Sequence, residues 1–204
     1  MRAAQLRAAG EHLAAADLYR QLAARTGAPD QRARYLLDAA EASRDGGDWD
    51  GTRLALEQLD ALVLGVTEDL RRRLLHAEVL LQERRASEAL VVLDAPPSPE
   101  LPTDLQTRYY VDLAETYRQL GNLLETAKTL QAVDALQTDP DARLQTQTAI
   151  LRSLALLNER VLVQLQPSPP GVPGGWMQLA LLVKQYGSDP AALAPELAAW
   201  RERQ

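Results

Sequence analysis

Apolar residues along this chain recur in a fixed order and at a fixed step. Alanine stands at Ala3, Ala40, Ala77 and Ala114, each 37 residues after the one before. In the last three copies an acid follows at once: Glu41, Glu78 and Glu115. Seven residues after each alanine come Gly10, Gly47, Arg84 and Gly121, and two further on His12, Trp49, Ala86 and Leu123. A small residue comes next (Ala15, Thr52, Ala89, Thr126), with a large one four positions later (Tyr19, Leu56, Leu93, Leu130). An alanine column lets two helices approach closely. A glycine column suits the point where a first helix ends and the chain reverses, because a residue with positive φ closes a helix cheaply there. Small and large residues four apart lie on one face of a second helix, one making room and the other filling it.

Several columns in phase over four copies predict stacked helix pairs. The order small, turn, small, large resembles the tetratricopeptide repeat. That repeat is about 34 residues long, so each unit here carries about three more, placed in the loop after its second helix. Arg84 replaces glycine in the third copy and predicts a less regular turn there. The expected pairs are 2–9 with 11–25, 31–45 with 49–63, 68–83 with 86–94, and 104–120 with 122–136. Asp30 is the expected N-cap of the second pair, and Thr67 precedes the third. Thr103 and Gln106 have capping-box spacing after Pro102. Asp139-Pro140 reads as N-cap and N1 of a helix over 140–155, followed by a shorter one over 157–165. The run 166–175, rich in proline and glycine, cannot be helical throughout. Trp176 to Tyr186 and Pro190 to Glu202 form a last pair, with Asp189-Pro190 repeating the start signal. The phase fails after the fourth copy, where position 151 is leucine. The expected fold is therefore all-α: a tetratricopeptide-like helix-pair solenoid with about four 37-residue repeats over 1–137. A divergent C-terminal helical cap over 138–204 belongs to the same domain, since terminal repeats are atypical.

Composition narrows the function. Hydrophobic residues are 46% of the 204 positions, enough for a sizeable core, while aromatics are only 4% and phenylalanine is absent. A net charge of −6 argues against a nucleic-acid partner. With no cysteine, disulfides, thiolate nucleophiles and thiolate-bound zinc are excluded for this chain. The apolar runs are too short to span a bilayer, and the stretch Arg2 to Arg7 lacks the apolar core of a signal peptide. His12 and His76 are the only histidines and have no ligand-spaced companions. No G-x-S-x-G, HExxH or Walker spacing occurs. No catalytic residue, metal site or cofactor is therefore expected. His12 is expected to pack at a helix entry and His76 to be partly buried. The three tryptophans, Trp49, Trp176 and Trp200, are expected to anchor helix packing. Arg71-Arg72-Arg73 and Arg84-Arg85 are the basic clusters, expected to pair with Glu68, Asp69 and Glu83 on a solvated face. Tyr35, Arg72 and Tyr109 share one column of the first helices, and Leu36, Arg73 and Tyr110 the next. Tyr35, Arg72, Arg73, Tyr109 and Tyr110 are thus the candidates for a partner-binding groove, with one of the two columns facing inward.

The C-terminal stretch adds a resemblance. Gly174-Gly175-Trp176-Met177-Gln178-Leu179, then Tyr186-Gly187-Ser188-Asp189-Pro190, then Ala198-Ala199-Trp200 is similar to the end of the N-terminal domain of the LpoA (LppC) family. The resemblance is specific over the last thirty residues and generic over the repeats. It implies a non-catalytic spacer and interaction domain of an outer-membrane lipoprotein that faces the periplasm and activates a class A penicillin-binding protein in peptidoglycan synthesis. It further implies that the main contact with that partner is made by a following domain, and that a lipidated cysteine is the only attachment to the membrane. Peptidoglycan itself is a second partner the resemblance allows. Neither the cysteine nor the following domain is within this sequence, and Met1 falls inside a repeat, so a longer parent protein is expected. Two other readings stand beside this one: a free-standing tetratricopeptide adaptor that binds peptide in its groove, and a helical superstructure attached to a lytic glycosidase.

Overall fold

A computed structural model describes residues 2–165 and 174–202. All regular structure among them is helical. The helices are α1 (Arg2–Ala8), α2 (His12–Arg25), α3 (Pro29–Asp45), α4 (Trp49–Leu59), α5 (Val66–Gln82) and α6 (Ala86–Val92). They continue with α7 (Thr103–Gln119), α8 (Leu123–Leu136), α9 (Pro140–Ala155), α10 (Glu159–Gln164), α11 (Gly174–Tyr186) and α12 (Pro190–Glu202). The chain divides into two compact units, Met1–Leu105 and Gln106–Gln204.

The alanine column is buried in every copy: Ala3, Ala40, Ala77 and Ala114 are at most 3% exposed. The small column is buried as well, and Tyr19, Leu56 and Leu93 of the large column fill the space beside it. Thr52 and Thr126 satisfy their buried hydroxyls on the carbonyls of Asp48 and Asn122, one helical turn back. One core of the first unit gathers Leu36, Leu37 and Ala40 of α3, Leu56 and Leu59 of α4, and Leu75 and Val79 of α5. A second joins Ala3, Ala15, Ala16 and Tyr19 to Ala39 and Ala42. In the second unit Ala127, Ile150, Leu154, Leu162, Met177 and Ala180 form the core.

The four turns have one geometry. Gly10, Gly47, Arg84 and Gly121 all have positive φ, at 81°, 76°, 62° and 73°. In each, the next residue's N–H donates to a carbonyl five residues back: Glu11 to Leu6, Asp48 to Ser43, Arg85 to Leu80 and Asn122 to Tyr117, at 2.8–2.9 Å. This is the Schellman closure of a helix. The expectation of a less regular third turn is corrected: the same hydrogen bonds form, and Arg84 adopts the glycine conformation. An L-residue there carries a steric penalty of about 1 kcal/mol.

Helix starts agree with the sequence where a side chain acts as the cap. Asp139 accepts from the Ala142 N–H at 2.8 Å with Pro140 at the first helical position, and Asp189 accepts from the N–H groups of Ala191 and Ala192. Asp48 caps α4 by accepting from Gly51, at 2.9 Å. Asp30 does not cap α3. Pro29 begins that helix and Ala28 is its N-cap, because the fixed φ of proline suits the first turn one residue earlier. Thr67 lies inside α5, whose N-cap is Gly65. The second helix of the second pair ends at Leu59, short of the expected 63. Most of the run 166–175 lies outside the described residues, and its last two glycines begin α11.

The sequence placed a change of character at 137/138, where the repeat phase fades. The compact units instead meet at 105/106. Packing and phase divide the chain by different criteria. α8 and α9 lie on either side of 137/138, yet Ala127 shares a core with Ile150, and Asp134 accepts from Arg143 at 3.2 Å.

Candidate interaction surface

The first helices of successive pairs are joined by ion pairs across neighbours. Arg7 of α1 donates to Glu41 at 3.0 Å and to Asp45 at 2.8 Å, both on α3. Arg71 of α5 reaches the same Glu41 at 2.9 Å and Asp38 at 2.8 Å. Arg44 bridges Asp45 at 2.7 Å and Glu78 of α5 at 3.1 Å. Glu41, only 8% exposed, therefore holds two guanidinium groups from two helices. The sequence showed the acidic column but not these arginines. They stand 34 residues before or 30 after the acid, a separation that only helix packing makes short.

Burial works against an ionised Asp45, but the hydrogen bonds and charges of Arg44 and Arg7 outweigh it and hold the carboxyl below its usual range. A carboxylate with a depressed folded pKa adds stability that is present above its unfolded value, near 3.8, and is lost as pH falls through the folded one. Asp45→Asn is therefore expected to lower stability by about 1 kcal/mol at pH 7. That difference should close as pH falls through the depressed folded value, below the usual carboxylate range. Thermal melts of both proteins across this range test it, and a difference that persists undiminished at pH 2 would refute it.

A cleft of about 270 Å³ opens beside α4, α5 and the turn into α6. Leu56, Val79 and Leu80 supply its apolar lining, and Arg53, Arg72 and Arg85 its cations. Each cation is already paired. Arg72 donates to Asp60 at 3.3 Å and Asp69 at 3.0 Å, Arg53 to Glu83 at 3.2 Å, and Arg85 to Glu83 at 2.8 Å and Glu88 at 2.7 Å. His76 also lines the cleft. It is exposed rather than partly buried as the sequence predicts. Partial desolvation and the Arg72 charge push its pKa down.

The five groove candidates separate. Tyr35 is half-buried against both cores of the first unit and accepts a hydrogen bond from Gln31 at 3.2 Å. Its column mate Arg72 lines the cleft. Arg73 turns elsewhere, pairing with Asp69 at 3.3 Å and donating to the Ala95 carbonyl at 3.3 Å. Leu36, in the column of Arg73, is a core residue. In the second unit Tyr109 is 2% exposed, so its ring is packing rather than surface. It meets Tyr110 edge to face, with centroids 5.2 Å apart. Arg71, Arg72, Arg73 and Arg85 of the arginine clusters are ion-paired, but Arg84 is exposed and has no ion pair among the described residues; Arg71 pairs with α3, and Glu68 accepts from Arg34. All three tryptophans pack: Trp49 on the first core, Trp176 on the core of the second unit, and Trp200 through a hydrogen bond from its indole N–H to the Gly175 carbonyl at 3.1 Å. Among the described residues no cluster of acids and histidines could hold a metal ion, and no helix is long and apolar enough to cross a membrane.

Helix hairpins closed by one recurrent left-handed turn, with their charged faces internally paired, define a helical-repeat protein. Its residues 10–204 match the family model described as "LppC putative lipoprotein", and the chain belongs to that lipoprotein family. It is 24% identical over 172 residues to the penicillin-binding protein activator LpoA of Vibrio cholerae serotype O1. That alignment covers 84% of this chain and 28% of the length of that activator. The fold is that of the amino-terminal domain of E. coli LpoA, with a TM-score of 0.73 at 20% identity over 92% of this chain and 83% of that domain. The N-terminal domain of Haemophilus influenzae LpoA is similar, with a TM-score of 0.70 at 21% identity over 92% of this chain and 86% of that one. These relatives are named as activators of another protein, a regulatory role and not a catalytic one.

Proposed function

We propose that this chain is the non-catalytic spacer and interaction domain of an outer-membrane lipoprotein, and that it serves the activation of a class A penicillin-binding protein in peptidoglycan synthesis. The family match over residues 10–204 carries this reading. The likeness to domains from two other activators, each more than four-fifths covered, supports it. The protein works on the periplasmic face of the outer membrane, tethered by a lipid. Rigidity is the physical contribution of the first unit: buried alanine contacts and the ion pairs around Glu41 fix α3 against its neighbours. A surface so held presents contacts, or carries an attached domain, without losing orientational order on binding. The relatives extend well beyond the matched stretch, and we place the main contact with the synthase there. Arg72 and Arg73 are retained as contact candidates in the first unit, and Tyr110 in the second.

Capture on an immobilised class A penicillin-binding protein tests the proposal. The full gene product should be retained, and this chain alone should be retained at least about tenfold more weakly, as expected when one of two contact regions is removed. Failure of the full gene product to bind the synthase would overturn the reading.

A further inference from the structure

The loop from α4 into α5 holds Leu64 against the first core and leaves the valines at 63 and 66 outside. Val63 is 94% exposed and Val66 73%. Folding gains almost nothing from a valine at 63, since its side chain leaves water so little. Two clefts flank this ridge and share Leu64 and Gly65 as a common wall. The first, of about 330 Å³, is closed by Asp30, Ala33 and Arg34, which lie on one face of α3. The second, of about 380 Å³, is closed by Val66, Leu70 and Arg73 on one face of α5, and by Pro96 and Pro97 of the next loop. Those prolines have fixed φ, so that wall loses little backbone freedom when a chain docks on it. The backbone groups of Val63 and Leu64 make no hydrogen bond among the described residues and are open to an incoming chain.

Charge selects the occupant. The lining of the two clefts holds three carboxylates, Asp30, Glu68 and Asp69, against two guanidinium groups, Arg34 and Arg73. Both guanidinium groups are taken: Arg34 pairs with Glu68 at 3.3 Å and Arg73 with Asp69 at 3.3 Å. Asp30 is exposed, and its carboxylate has no ion pair among the described residues. Asp94 and Glu100, in the loop that carries Pro96 and Pro97, are likewise exposed and unpaired among the described residues. Arg32 is an unpaired cation of α3, but it stands about 160° round the helix from Asp30, off the cleft face. We propose that this ridge docks an extended peptide segment of a protein partner, one in which a lysine or arginine stands next to an apolar side chain. The apolar side chain packs on Val63 and Val66, and the cation takes the carboxylate of Asp30. The segment's backbone pairs with the open N–H and C=O groups of Val63 and Leu64. An acidic segment meets a surface of its own sign and is rejected. The inference rests on the reading that the chain acts by binding a protein, and it names the chemistry of what is bound.

The test is a titration of the 15N-labelled chain with acetyl-Val-Lys-Leu-Lys-amide and with its glutamate and norleucine counterparts. The backbone amide signals of Val63, Leu64 and Gly65 should shift with the lysine peptide, with a Kd on the order of 1 mM. Binding of the glutamate peptide should be at least about fivefold weaker. Asp30→Asn should weaken the lysine peptide about threefold and leave the norleucine peptide unchanged. Val63→Ser combined with Val66→Ser should abolish the response to the lysine peptide while Tm stays within about 2 °C of the wild type, because both side chains are exposed. The retained Tm separates lost binding from lost folding. Equal response to the lysine and glutamate peptides, indifference of the lysine peptide to Asp30→Asn, or an unchanged response in the double serine variant overturns the inference. So does movement of the same amide signals when protein concentration is raised without peptide, which would assign the ridge to a second copy of this chain. Synthase capture without peptide binding sinks this inference alone. Peptide binding without synthase capture sinks the proposed partner and leaves the docking ridge standing.

Discussion

Ala40→Leu is expected to lower the stability of the first unit by about 3 kcal/mol, a Tm fall of roughly 6–12 °C. Ala40 is fully buried in the core that contains Leu37, Leu56 and Leu75. Its carbonyl lies 3.4 Å from the Thr52 hydroxyl of α4, which marks how closely the two helices approach. A leucine brings three more carbons into a site with no room for them. The helices must separate or neighbouring side chains must leave their rotamers, and either response disturbs a close-packed interior. Ala14→Leu is the control: Ala14 is an exposed residue of α2, and the same chemical change there should move Tm by under about 2 °C. Melts followed by circular dichroism decide the matter. A near-native Tm for Ala40→Leu would mean that the alanine column is a compositional accident rather than a packing requirement.

That column was among the most legible features of the sequence, together with the turns. Both depend on local chemistry repeated in phase: small residues where helices cross, and glycine where φ is positive. Arg84 shows the limit of reading by residue type. The turn at that position is set by its neighbours' hydrogen bonds, so the backbone kept its shape when the residue changed. Asp30 shows another limit, since a good capping side chain was present but Pro29 had already begun the helix. The groove candidates were chosen by column alone. Adjacent residues of one helix point about 100° apart, which is why Arg72 reaches the cleft while Arg73 reaches the Ala95 carbonyl. A period cannot reveal which of two neighbouring columns is covered, and the burial of Tyr109 is decided by packing the sequence does not display.

The ion pairs around Glu41 were the least legible feature, and they carry the second large effect. Glu41→Ala is expected to cost about 2 kcal/mol at pH 7. The carboxylate is nearly buried and accepts from Arg7 at 3.0 Å and from Arg71 at 2.9 Å. Without it, both guanidinium groups stay where packing has put them and lose one partner each. The loss is not total, because Arg7 keeps Asp45 and Arg71 keeps Asp38, so the cost falls below that of stranding a buried charge. Arg7→Ala and Arg71→Ala each remove two acid contacts, to Glu41 and to Asp45 or Asp38, and each leaves Glu41 the other guanidinium. The double variant Arg7→Ala with Glu41→Ala should be less destabilised than the sum of the two, by about 1 kcal/mol, because the shared contact is counted once. High salt should narrow these gaps only slightly, as partly buried pairs are screened less than surface ones. Strict additivity of the double variant, measured by denaturant unfolding, would show that Glu41 is held by its surroundings and does not hold α1 and α5 to α3.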